Sequence, residues 1–285
     1  MGKLMKYEIR GSYKYILGVL TAILIASLVI QYNIYKATNN FNNSIENVGI
    51  RAFVFVTSLF VIIGVFFSLF FYIVSLFKKE LYEDRGYLTF TLPLTGRQIL
   101  GAKILVGVIW YALLDIAIVL FNFLIALGFF GTHIIKIARD ILSYNYAHKL
   151  ISIVTFSAIE SLKSTLLFLV LVYLSVTLSK VSFKNRKIGG LWFVIFLILC
   201  GLVGFLSNKI GDVLPYYLNL TNFEIYHRNI NINMLWDISI SLGELLTFGS
   251  NFGGYINIFE FLTEIIFIIL GFLSTSYLIE NKIDL

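Results

Sequence analysis

Two pairs of ionisable residues lie at the edges of apolar stretches, where their chemistry could serve transport. Glu260 and Glu264 are four residues apart, and Glu160 and Lys163 are three apart, so each pair shares one helix face. Carboxylates held this close titrate as a unit and could bind a cation or pass a proton. Glu260 and Glu264 are therefore candidate pathway residues. The alternative is that both pairs are solvated helix ends.

A polar pair also interrupts the apolar run Ile104–Phe130. Asp115 stands near its middle, and Asn122 follows two turns later on nearly the same face. An ionised side chain at the bilayer centre costs about 2.5–3.5 kcal/mol on insertion scales, so Asp115 should face protein or water. Asp115 and Asn122 are candidate pathway residues, or they form a structural hydrogen-bonded contact between helices.

No motif for catalysis or for a resident cofactor stands out. The three histidines lack the mutual spacing of metal ligands, so no metal site is expected. The stretch from Gly96 to Lys103 superficially resembles a phosphate-binding loop, but the lysine comes one residue late. Ile104 also occupies the position that requires Ser or Thr. We therefore expect a non-catalytic chain that carries no cofactor itself.

The composition predicts a membrane protein. The chain is 59% hydrophobic and 13% charged, with a mean hydropathy of +0.88, whereas soluble domains carry about 25% charged residues. A helix needs about 20 apolar residues to cross the hydrocarbon core. We predict an all-α polytopic fold in one transmembrane domain, 1–285. Its six spans are expected at about 15–35, 52–77, 104–130, 157–179, 188–207 and 258–279.

Three segments outside the spans have recognisable patterns. Met1–Lys14 intersperses basic and apolar residues and predicts a short helix lying in the membrane interface. Segment 131–163 contains isoleucines at helical spacing, which favours an amphipathic helix on the outer surface. Segment 208–257 is too apolar for disorder and too broken to span, so we expect a cap of short outer helices.

The distribution of positive charge predicts the orientation. The net charge is +6, and 14 of the 22 Lys and Arg residues fall on the side that holds both termini and segment 78–103. Cytoplasmic segments next to spans carry this excess, so both termini and segment 78–103 are placed in the cytoplasm. Richness in Ile, Phe, Asn, Lys and Tyr suggests an AT-rich bacterial genome and hence a bacterial plasma membrane. We expect the chain to be surrounded by membrane lipid and not to bind nucleic acid.

Segment 78–103 has a pattern of its own, unlike a simple tether between spans. An acidic and basic cluster is followed by an alternating apolar stretch, a proline and an amphipathic helical turn. This pattern favours a cytoplasmic docking element for a partner protein. The candidate partner-coupling residues are Glu83, Asp84, Arg85, Gly86, Pro93, Gln98, Gly101 and Lys103.

The same segment resembles the permease subunits of type-2 ATP-binding-cassette (ABC) exporters. The resembling motifs are EDRGYL at 83–88, TLPLT at 91–95 and QILGAK at 98–103, together with KYEI at 6–9 and YLIENK at 277–282. The resemblance implies a six-helix half-transporter paired with a second copy or a paralogous permease. It also implies separate ATPase subunits that hold ATP and magnesium and contact the 78–103 loop. The substrate stays open among peptides, lipids, drugs and ions, and we favour an amphiphilic one such as an antimicrobial peptide, a lipid or a drug.

Two other classes of function remain open from the sequence. An ion- or proton-coupled secondary transporter would use Asp115 and the two glutamates of the last span. Such carriers often contain an internal repeat, and none is visible here. A non-transporting membrane scaffold or sensor would use the 78–103 loop only for docking.

Overall fold

A computed structural model describes residues 2–39, 45–82, 95–131, 144–182, 190–219, 223–227 and 255–282. These residues form long helices joined, in the last third of the chain, by a small sheet. The elements in chain order are α1 (Gly2–Asn39), α2 (Ile45–Tyr82), α3 (Gly96–Phe130), α4 (Tyr144–Ser182), α5 (Leu191–Val213), β1 (Tyr216–Asn219), β2 (Ile225–His227), β3 (Tyr255–Asn257) and α6 (Ile258–Asn281).

Among the described residues, five helices are long and apolar enough to cross a membrane: α1, α3, α4, α5 and α6. This finding agrees with the predicted helical, polytopic membrane protein. The predicted number of six spans is not confirmed, because α2 contains the predicted span 52–77 but is not one of the five. Some side chains of α2, including 51–55, lie outside the description.

The N-terminal segment is not a separate interfacial helix, so that prediction is wrong. Helix α1 runs without a break through 38 residues, from Gly2 to Asn39. At 1.5 Å per residue it is about 57 Å long, well beyond the hydrocarbon thickness of about 30 Å. Its basic first turns therefore continue the axis of the apolar part instead of bending away from it.

Helix α4 is also longer than the span predicted for it. It extends over 39 residues, and the predicted span 157–179 lies inside it. Its apolar portion that could cross a membrane is Val154–Val181. Residues 132–143, which carry most of the predicted outer amphipathic helix, lie outside the described residues.

The predicted cap of short helices over 208–257 is wrong where this segment is described. Helix α5 continues to Val213, and Pro215 then precedes a three-stranded antiparallel sheet of order β2-β1-β3. Tyr217 pairs with Tyr226 of β2, and Leu218 pairs with Ile256 of β3. Aromatic and β-branched residues favour strands, and β1 pairs both with the next strand in the sequence and with β3 near the end of the segment.

The chain divides into two compact units. The first comprises 1–142, 176–187 and 275–285, and the second comprises 143–175 and 188–274. The prediction of one transmembrane domain stays a prediction. In the first unit, α1 packs on α2 and α3. A buried stripe recurs every three or four residues along α1: Ser12, Ile16, Val19, Ile23, Ala26, Ser27 and Ile30.

In the second unit, α4 and α6 run parallel. Lys163 pairs with Glu264, and a Cβ added to Gly271 would lie 2.6 Å from Val170 Cγ1. The two pairs share the same sequence offset, so the helices keep one register and approach closely at the glycine. Helix α5 runs antiparallel to both, because its C-terminal Gly211 meets the start of α6, whereas Phe196 meets Phe168 farther along α4.

Candidate functional site

The N-terminus of α3 is fixed by a capping box. Thr95 Oγ1 accepts from the Gln98 N–H, and Gln98 Oε1 accepts from the Thr95 N–H, both at 3.3 Å. Each side chain thereby satisfies a backbone donor that the first helical turn would otherwise leave unpaired. The helix therefore starts at a defined residue, directly after the TLPLT motif at 91–95.

The C-terminal end of α6 holds the same helix start within the first unit. The Gly96 N–H donates to Glu280 Oε1 at 2.7 Å. A Cβ on Gly96 would lie 2.8 Å from Glu280 Cγ and 3.1 Å from the Ser276 carbonyl oxygen, so only glycine fits without displacement. A carboxylate at a helix N-terminus is stabilised by the free N–H groups and by the helix dipole.

Two turns later, α3 is tied to α1. The Lys103 Nζ lies 2.6 Å from Glu8 Oε1, and the Lys103 side chain is only 4% exposed. Trp110 Nε1 donates to Ser12 Oγ at 3.0 Å, one turn farther along α1. We name Thr95–Lys103 with Glu8 and Glu280 the coupling end. It joins the N-terminal part of α1, the start of α3 and the end of α6.

The predicted partner-coupling residues are only partly described. Gln98 is exposed, Gly101 is half-buried and Lys103 is buried against Glu8. Exposed Arg97 lies beside Gln98 on the same first turn of α3. Glu83, Asp84, Arg85, Gly86 and Pro93 lie outside the described residues.

Asn122 lies in a polar contact between α3 and α1. Its Nδ2 donates to Ser27 Oγ at 3.3 Å and to the Ile118 carbonyl at 2.9 Å, and Gln31 Nε2 donates to Asn122 Oδ1 at 3.3 Å. Asp115 is half-buried on the same helix, within electrostatic range of Tyr111. Asn122 thus forms a hydrogen-bonded contact between helices, which is one of the two roles that the sequence left open for it.

The second unit contains a charge cluster of Glu160, Lys163, Glu260 and Glu264. Lys163 Nζ donates to Glu160 Oε1 at 2.6 Å and pairs with Glu264 Oε2, and it lies 4.5 Å from the centre of the Phe261 ring. Glu260 lies within electrostatic range of Glu264 and Lys163. Lys163 is 8% exposed, so the interpretation as a solvated helix end does not hold for it.

Asn257 fixes the start of α6 near this cluster. Its Oδ1 accepts from the Phe259 and Glu260 N–H groups at 3.0 and 3.2 Å, and its Nδ2 donates to the Gly211 carbonyl at 3.0 Å. One buried amide therefore caps α6 and ties it to the end of α5. This positions the glutamates of α6 against α4.

Two contacts in the structure were not predicted from the sequence. The Glu8–Lys103 pair had one signal, since Glu8 is the sole acidic residue among the first 45 and a lysine entering an apolar run needs a counter-ion. The Asn257 cap had the Asn-x-x-Glu spacing of a helix start. Within the described ranges, no group of three or more His, Cys, Asp or Glu could hold a metal ion.

Comparison with protein-family models, curated proteins and solved structures finds no match for this chain.

Proposed function

We propose that this chain is the transmembrane permease subunit of an ATP-driven ABC exporter in a bacterial plasma membrane. It is non-catalytic, and a separate ATPase subunit hydrolyses ATP. A second copy or a paralogous permease completes the pathway, through which an amphiphilic substrate passes. All six long helices cross the membrane, with both termini in the cytoplasm.

The coupling end is the observation that carries this proposal. A permease without a phosphate-binding loop must receive energy mechanically, through an element that moves as a body. The start of α3 has that property, because the capping box, Glu280 and the Glu8–Lys103 pair fix it to two other helices. A displacement of residues 83–94 by a bound ATPase therefore moves α3 together with α1 and the end of α6.

The charges of the coupling end fit a protein partner. Hydrogen bonds that involve an ionised group are roughly twice as strong as neutral ones and are directional. Arg97 and Gln98 are exposed at the start of α3, and the same segment 78–103 carries Glu83, Asp84 and Arg85, so it offers both signs of charge for docking. A membrane scaffold would need the docking groups but not the rigid connection into three helices.

Co-purification with an ATPase tests the proposal. The tagged chain is extracted from its native membrane in mild detergent, and its partners are identified by mass spectrometry. We expect a stoichiometric ATP-binding-cassette protein and no ATP hydrolysis by the isolated chain. Substrate transport by the chain reconstituted alone would contradict the exporter proposal.

The charge cluster favours a second candidate, an ion- or proton-coupled transporter. Ionisable residues within spanning helices are costly and commonly mark an ion pathway. In that case transport in proteoliposomes would follow an imposed ion gradient and would need no ATPase. The two candidates are therefore separated by the energy source that drives transport.

A further inference from the structure

We propose that the charge cluster, together with Ser207, binds the primary ammonium group of a cationic amphiphile. Lys163 occupies part of this site and competes with the ligand for its carboxylates. The inference rests on the proposed export function in naming the class of substrate, but binding itself needs no ATPase.

Lys163 identifies the chemistry that the site recognises. Its ammonium group donates to Glu160 Oε1 and Glu264 Oε2 and lies above the Phe261 ring. Two carboxylates and an aromatic face are the groups that stabilise a desolvated ammonium ion. A ligand ammonium presents the same charge and the same three donors as the lysine side chain.

The cluster contains more acceptor groups than Lys163 uses. Three carboxylates face one ammonium, and Asp212 of α5 adds a further acidic group within electrostatic range of Glu260. Among the described residues, the ion pairs of the cluster all go to Lys163. A second cation would therefore reduce the repulsion among these carboxylates.

Two buried polar atoms of the second unit, one in the cluster and one on α5, lack hydrogen-bond partners among the described residues. Glu160 Oε2 and Ser207 Oγ make no hydrogen bond within the described part of the chain, and Ser207 is 1% exposed. Leaving such a group unpaired costs about as much stability as one hydrogen bond contributes. Each of these atoms is therefore a place where a ligand could donate a hydrogen bond.

The helix register places Ser207 on the face of α5 that meets α6. Gly211 contacts Glu260, and Ser207 lies one turn earlier on the same buried face of α5. Because α5 is antiparallel to α6, one turn back on α5 corresponds to one turn forward on α6, from Glu260 to Glu264. By this register, residue 207 falls at about the level of residue 264 along α6.

The surroundings of the cluster favour an amphiphile over a small ion. Large apolar side chains flank it on α4 and α6 and are exposed: Ile159, Leu162, Leu262 and Ile266. Glu160 has a side chain that is 45% exposed, which leaves the site open on that side. An ammonium group can enter while its alkyl chain stays on the apolar surface.

Photolabelling of the full chain in lipid nanodiscs tests the proposal. The probe is a long-chain primary amine that carries a diazirine, and unlabelled dodecylamine or dodecanol is the competitor. We expect labelled peptides from α4 and α6, with labelling suppressed by dodecylamine but not by the uncharged dodecanol. Equal competition by the two would overturn the proposal, as would labelling spread evenly over all helices.

Substitutions in the cluster should change the affinity for dodecylamine in opposite directions, which a general loss of folding cannot do. Glu264→Gln and Glu160→Gln should weaken the apparent affinity for dodecylamine about tenfold, the equivalent of one charge-assisted hydrogen bond. Lys163→Met removes the internal competitor and should strengthen binding, whereas Lys163→Arg should restore competition. Lys209→Met, an exposed lysine on α5, serves as the matched control and should change nothing.

If Lys163→Met does not fold, Glu160→Gln decides the question, since that side chain is partly exposed. Unchanged affinity in folded Glu160→Gln and Glu264→Gln protein would refute the ammonium site. That result would leave the exporter proposal intact, because the ATPase co-purification does not involve these residues. Conversely, if the chain binds the amine but co-purifies with no ATPase from its native membrane, only the exporter proposal is refuted.

Discussion

Glu8 of α1 and Lys103 of α3 form an ion pair of 2.6 Å across a sequence separation of 95 residues. Asn122 and Ser27 are bonded between the same two helices with the same separation of 95 residues. Helices α1 and α3 therefore run parallel and keep one register over about 28 Å of rise. The N-terminal part of α1 and the start of α3 thus lie at the same end of the first unit.

The ion pair predicts unequal effects of removing either partner. Glu8→Gln removes the Glu8 carboxylate from the buried Lys103 ammonium and should lower the free energy of unfolding, by at most about 3–5 kcal/mol. Lys103→Met should cost less, because the Glu8 side chain is 16% exposed and Lys103 is 4% exposed. Denaturant unfolding in detergent, followed by size-exclusion chromatography, measures both.

The double variant Glu8→Leu with Lys103→Met is the control for this prediction. Replacing a buried pair by apolar residues is often neutral, so the double variant should be more stable than Glu8→Gln alone. Strictly additive losses would show that the two side chains do not interact.

The close contact at Gly96 predicts that even one methyl group disturbs the coupling end. Gly96→Ala would place its Cβ 2.8 Å from Glu280 Cγ and 3.1 Å from the backbone oxygen of Ser276. Overpacking of this kind costs about 1–3 kcal/mol, so the thermal midpoint in detergent should fall. A Cβ at Gly128 on the same helix would meet no atom of the described residues within 4 Å, so Gly128→Ala should be neutral or stabilising. Equal midpoints for the two variants would contradict the packing.

The positions of the helices follow from local pattern, whereas their contacts do not. The apolar runs at 104–130 and 188–207 lie within α3 and α5, because length and hydropathy determine a span. The strand Tyr216–Asn219 was missed, since its partners at 225–227 and 255–257 are fixed by tertiary pairing. Likewise, Glu280 belongs to a polar tail by sequence and becomes a helix cap only when α6 reaches α3.

Charge asymmetry predicts which end faces the cytoplasm. Single cysteines at Asn43, Arg97 and Glu224, in a Cys200→Ser background, are treated with an impermeant thiol reagent in intact cells. We expect labelling at Asn43 and Glu224 and protection of Arg97, because 14 of the 22 basic residues lie on the side of Arg97. Labelling of Arg97→Cys in intact cells would reverse the orientation.

For Asp115 we predict a structural role in α3. Asp115→Asn keeps the shape and the hydrogen-bonding capacity of the side chain and should leave transport nearly unchanged. Asp115→Leu removes that capacity at a half-buried position and should lower the yield of folded protein by leaving partners unsatisfied. Transport and yield are measured on the same membranes. Loss of transport in well-folded Asp115→Asn protein would instead favour a proton pathway.

The most direct prediction about function concerns the 78–103 loop. We expect Glu83, Asp84 and Arg85 to hold the ATPase by charge-assisted hydrogen bonds. Reversing one charge, in Glu83→Lys or Arg85→Glu, replaces an attraction with a repulsion. We expect each variant to lose ATPase co-purification about tenfold or more, while its elution profile stays that of wild type.

Lys209→Glu is the matched charge reversal, on exposed surface of α5 far along the chain from the loop, and should retain the ATPase. Gly96→Ala should give a different result from the loop variants. It leaves the docking charges intact but disturbs the contact of α3 with Glu280, so the ATPase should stay bound while its stimulation by substrate falls. An ATPase complex that forms and works normally after both loop reversals would exclude residues 83–85 as the coupling contact.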